Sequence, residues 1–184
     1  IVWGPDTTLA SFVADINKVA INGGELKAIG ATKGQGGSLP ELLTSLGVTY
    51  PPTLNNVLGT DYIFLVFGQQ ETFNTKGGPL LGPVQRRIAF VVEARDSVSL
   101  NQLLSEWEPQ MTDALAKLFE LNKAKAASPG FLSNVYQSTA IRYRNFTYPD
   151  RNIDYGIVTA KNGRQYLVVT DSREAFFQVT NNLR

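Results

Sequence analysis

The chain has neither histidine nor cysteine among its 184 residues. The two absences remove the side chains that most often move protons near neutral pH or hold transition metals. Without imidazole or thiolate there is no Ser-His-Asp triad, no Cys-His pair, no zinc site of the usual ligands and no thiol redox centre. No disulfide can staple the fold, so its core must hold it together. Neither charge is in excess: 17 Lys+Arg stand against 16 Asp+Glu, a formal net charge of +1, too balanced to draw nucleic acid or anionic lipid to the whole surface. No apolar run approaches the roughly 20 residues of a membrane-spanning helix. The opening Ile1-Val2-Trp3-Gly4 has no initiator Met and no signal-peptide pattern, and the sequence is therefore expected to be a fragment of a longer protein.

What is present describes a packed chain. Hydrophobic residues make up 43% and charged residues only 18%, which excludes a disordered segment and suits one domain over 1–184. Leu9, Phe12, Val13, Ile16, Val19 and Ala20 recur at helical spacing behind Asp6, the expected N-cap, with Asn22-Gly23-Gly24 as the stop. Leu26–Lys33 reads as a strand. Gly34-Gln35-Gly36-Gly37 lacks the order of a phosphate-binding loop and opens onto Ser38-Leu39-Pro40-Glu41, a capping box that starts a helix over 39–46. Pro51-Pro52 begins a further helical turn, closed by Gly59.

Tyr62–Phe67 and Ile88–Val92 are unbroken apolar runs, expected as central strands with both faces at least partly covered. The connector between them, 69–85, is rich in Gly and Pro and carries Phe73, Leu80 and Leu81 with no secondary-structure period; connectors of this length often bind something. Behind Arg95-Asp96-Ser97 the longest amphipathic helix runs to Phe119, with a kink or break expected at Pro109. Val135–Phe146 reads as one strand. Ile153–Ala160 and Gln165–Thr170 read as a hairpin across Asn162-Gly163, and Asp171-Ser172-Arg173-Glu174 caps a terminal helix. The element order predicts an α+β domain with a mainly antiparallel sheet and packed helices. An echo of strand, Asp-Ser and helix at 88–104 and 166–183 suggests two related strand-rich halves.

The stretches Asn152–Val158, Tyr166–Ala175, Leu103–Glu108 and Ala140–Tyr143 resemble a family of membrane-anchored proteins of candidate-phyla (Patescibacteria) bacteria. The resemblance implies an extracytoplasmic domain tethered by an upstream segment. It carries over no catalytic or binding residue.

The residues themselves give no enzyme. Glu106 and Glu108 point to different sides of their helix, while Glu93, Asp96, Asp154 and Asp171 are expected to be solvated or capping. No cofactor or metal is expected. Arg142 and Arg144 alternate with Tyr143, which raises and then fails to sustain a nucleic-acid reading, since strand arginines commonly guard edges. The expected role is a non-catalytic extracytoplasmic interaction or scaffold domain recognising a protein or cell-envelope component. Phe73, Leu80 and Leu81 are its candidate apolar anchors and Arg142 and Arg144 a second polar patch. The alternative is a small-molecule or glycan-binding domain with an apolar pocket.

Overall fold

The two apolar runs form neighbouring antiparallel strands at the centre of the molecule, β2 (Leu58–Gln69) and β3 (Gln85–Ala94). A computed structural model describes residues 6–31, 39–70, 82–146 and 151–184. Strand β1 (Leu26–Ala31) pairs on the far side of β2. Four further strands, β4 (Leu132–Tyr136), β5 (Thr139–Arg144), β6 (Ile153–Thr159) and β7 (Gln165–Thr170), follow in the second half. All seven join in one antiparallel sheet of order β1-β2-β3-β7-β6-β5-β4. The fold is α+β, as the element order predicts.

Alternate residues of the central strands enter two separate cores, so neither face shows the polar half of a two-residue period. Phe64, Val66, Phe90, Val92, Leu167 and Val169 face one core. That core also takes the apolar sides of α1 (Leu9–Lys18), α2 (Leu39–Ser45), α3 (Leu54–Val57) and the long α4 (Ser97–Leu115). Ala89, Val91, Val158 and Val168 face the other core, where Phe176 and Val179 of the terminal helix α5 (Arg173–Leu183) pack. The hairpin-helix units β2-β3-α4 and β6-β7-α5 meet along β3 and β7, yet their helices cover opposite faces.

Several local expectations are corrected. The cap of α1 is Thr8, not Asp6: its hydroxyl accepts from the Ser11 amide while the Ser11 hydroxyl accepts from the Thr8 amide, a reciprocal capping box. The helix stops at Lys18, ahead of the glycines, and Gly24 with its positive φ of 78° serves the turn into β1. Gly59 lies inside β2 against the side chain of Glu93 and closes no helix. Helix α4 continues through Pro109, without the break that is one of the two outcomes expected there. That residue is exposed while Trp107 and Met111 are buried, so the backbone bond that proline forfeits lies on the wet side of the helix. Residues 32–38, with the glycine-rich run and Ser38, fall outside the described residues.

The largest departure is at Val135–Phe146, which is not one strand but the hairpin β4–β5 turning at Gln137-Ser138. Both turn residues have positive φ (45° and 61°), the conformation for which Asn and Gly are the usual choice. The C-terminal end of α5 holds them there. Tyr136 stacks on Phe177 with ring centroids 3.9 Å apart, Gln137 donates to Asn181 Oδ1 at 2.8 Å, and Arg184 donates to the Gln137 carbonyl. Ser138→Gly is expected to raise stability by about 0.5–1 kcal/mol, the left-handed strain removed less the entropy glycine adds to the unfolded chain. Urea unfolding of the two proteins measures this directly.

Candidate functional site

Three arrangements of side chains stand out, and two are internal ties. The first joins α4 to β5. Arg142 Nε and Nη2 donate to Glu108 Oε1 and Oε2, both at 2.7 Å, and the Tyr155 hydroxyl donates to Oε1 at 2.7 Å. Arg142 also reaches Ser133 Oγ at 2.6 Å. The bond from Glu108 raises the arginine's already high pKa, and burial pushes the Tyr155 phenol up. Arg144 donates to Thr112 Oγ1 at 2.8 Å. Both candidate arginines thus point at α4, whereas Tyr143 lies on the other face beneath the Arg173 guanidinium, 4.1 Å from the ring centroid. The strand brings Arg142 and Arg144 together but forms no basic, aromatic face with Tyr143.

The second arrangement surrounds the β7–α5 turn. Asp171, fully buried, accepts from the Ile88 amide at 2.6 Å and from Arg151, and Arg151 continues to Glu120 Oε2 at 2.8 Å. Asp154, also fully buried, accepts from Arg173 through Oδ1. Burial raises both carboxyls, Asp154 to about 6, with the neighbouring arginines opposing it. Glu120 sits in the left-handed region (φ 52°), where the Leu121 amide bonds the Ala116 carbonyl to close α4. Asp154 and Asp171 are therefore not solvated or capping, as expected from sequence, but buried ion pairs; the α5 cap is Ser172. Asp96 does cap α4, accepting from Val98 and Ser99. The signal missed is position: Asp171 comes one residue, Thr170, after the apolar run Leu167–Val169 and follows it into the core. Among the described residues, no three Asp or Glu converge as a metal-binding group, and no helix is long and apolar enough to cross a membrane.

The third is an open apolar groove of about 310 Å³ on the α5 face. Leu26 and Ala28 of β1, Ile63 and Leu65 of β2 and Val91 of β3 form its floor, and Val179, Asn182 and Leu183 of α5 form its wall. It exists because α5 packs mainly over β3, β7 and β6, so that among the described residues Leu26, Ile63 and Leu65 on the β1–β2 part of that face are only half-buried. No sequence signal marked these residues as a surface, since the helical and strand periods both assign them to a core. The candidate anchors Phe73, Leu80 and Leu81 lie outside the described residues. The chain matches no family model, no curated protein and no solved structure.

Proposed function

We propose that this is a non-catalytic interaction domain that seats the aliphatic stripe of a partner's amphipathic helix in the groove beside α5, and that it works outside the cytoplasm in a membrane-tethered chain. The groove carries the reading. Its floor spans β1 and β2, strands ~4.8 Å apart, so the half-buried strip is roughly 10 Å across, about one helix diameter. A second helix alongside α5 would complete the layer that already covers the other face. The resemblance described above supports the placement. Phe73, Leu80 and Leu81 belong to the segment joining the same two strands, β2 and β3, and are proposed as further anchors; Arg142 and Arg144, engaged with α4, are a weaker proposal.

The volume also favours a second reading, a small apolar ligand, since it reaches the lower end of ligand-site sizes. Among the described residues the lining is aliphatic apart from Asn182, with no aromatic ring to stack on a sugar. A photo-crosslinking side chain at Asn182, used with native cell envelopes, is expected to give one protein adduct. Leu65→Lys should abolish it while leaving the urea midpoint nearly unchanged, because Leu65 is only half-buried. Changing Phe73, Leu80 and Leu81 together to serine tests the connector in the same assay. A lipid-sized adduct would select the second reading, and an adduct indifferent to Leu65→Lys would refute the groove.

A further inference from the structure

The sheet has two edges, and they are guarded differently. β1 has a register shift between Ala28 and Gly30 and carries Lys27, whose Nζ bonds the Ala20 carbonyl at 2.6 Å and Glu25 at 3.0 Å. Charge and irregularity of this kind discourage further pairing. β4, Leu132-Ser133-Asn134-Val135-Tyr136, has no charge, no proline and no break in its register with β5. Leu132 and Val135 are 47% and 67% exposed, two of the three exposed large hydrophobic side chains among the described residues.

We infer that β4 is a self-association edge that pairs with β4 of a second copy, antiparallel about a two-fold axis at Asn134. The register decides this. The two-residue turn closes at Tyr136 opposite Thr139, so residues 136, 134 and 132 bond to β5 and the N–H and C=O groups of Ser133 and Val135 point away from the sheet. A two-fold at Asn134 sets Ser133 of each copy opposite Val135 of the other, where these outward groups make four N–H···O bonds. Leu132 then lies beside Tyr136 of the other copy on the α5 face, and β4 itself brings no charged side chain to the seam. The Val135 amide now donates to Asn134 Oδ1 at 2.8 Å, and the dimer exchanges this bond for the Ser133 carbonyl of the other copy. Five residues a side bury less than the ~1,200 Å² of a stable interface. The dimer is accordingly weak, in the upper micromolar to millimolar range, and distinct from the groove.

Sedimentation equilibrium of the full chain from micromolar to millimolar concentration, with amide exchange read at both ends, tests this. The apparent mass should rise above 20.2 kDa with concentration, and protection should increase at Ser133 and Val135. Val135→Lys should weaken association at least tenfold with an unchanged melting curve. Asn134→Ala, which removes the competing acceptor, should strengthen it severalfold. A monomer at every concentration, protection rising elsewhere instead, or a dimer unmoved by both substitutions would overturn the inference.

Discussion

Stability is expected to fall by about 2 kcal/mol between about pH 4.5 and pH 8 on account of Asp154 alone, an acid-side preference uncommon among proteins whose buried carboxylates are paired. Asp154 has no exposed surface, and its Oδ2 makes no hydrogen bond among the described residues. Burial raises its pKa from 3.8 to about 6 against the opposing pull of Arg173. The unfolded chain therefore releases this proton at lower pH than the folded one does. The stabilising contribution is complete below the unfolded value and is lost as pH rises through about 6. Asp171 is shifted in the same direction by burial and adds to the slope. Glu25 and Asp96 act oppositely: a backbone bond from Asn22 and a hydroxyl bond from Ser99 lower them, so their support disappears as pH drops through their folded values. The two slopes place maximum stability in the mildly acidic range. Urea titrations at closely spaced pH, with Asp154→Asn beside the wild type, give the measurement. The variant should lose most of the slope between pH 5 and pH 7, and an unaltered slope would show that Asp154 is not its source.

The second large effect is expected at Gly68, where alanine should cost about 3 kcal/mol by overpacking. A Cβ built there would stand 2.0 Å from the Asn22 carbonyl oxygen and 3.1 Å from Val84 Cγ1. The obstruction is backbone that cannot rotate aside, and it is fixed in place because Gly24 donates to the Gly68 carbonyl at 2.7 Å while Gly68 donates to the Glu25 carbonyl at 2.9 Å. Relief requires lifting the 22–25 turn off β2, which undoes the entry into β1. Chemical denaturation should show the loss, and amide exchange should quicken first at Gly24 and Gly68. Gly130, with nothing near its added Cβ, serves as the control and should tolerate alanine with little change.

The parts of this architecture legible in the sequence are those whose cause is local. The apolar runs at 62–67 and 88–92, the Asn162-Gly163 turn (Gly163 φ 79°) and the Asp96 cap each carry their reason within a few residues. The Gln137-Ser138 turn does not, because its conformation is imposed by Asn181, Phe177 and Arg184 far along the chain. Pro109 misleads for a related reason: whether a proline breaks a helix depends on which side of that helix meets water, which only packing decides. The same holds for the surfaces of interest. Leu26, Leu65 and Leu183 each look like core residues, and only the placement of α5 over one part of the sheet turns them into a groove. Asp154 and Asp171 look like surface carboxylates until β6 and β7 carry them inside beside Arg173 and Arg151.

The pairing of β3 with β7 has a consequence for how the chain must be made. Ala89 meets Thr170 and Val92 meets Leu167, so the middle of the sheet is closed by β7, which follows the other six described strands along the chain. A chain emerging N terminus first can assemble β1, β2 and β3 as a local meander, but Ile88–Val92 then waits as a bare hydrophobic edge until residues 165–170 leave the ribosome. Such an edge is a template for pairing between chains, and the high sequence separation slows the step that removes it. Nascent chains stalled or truncated before Gln165 are thus the species of this protein most exposed to aggregation, and the natural clients of chaperones that shield strand edges.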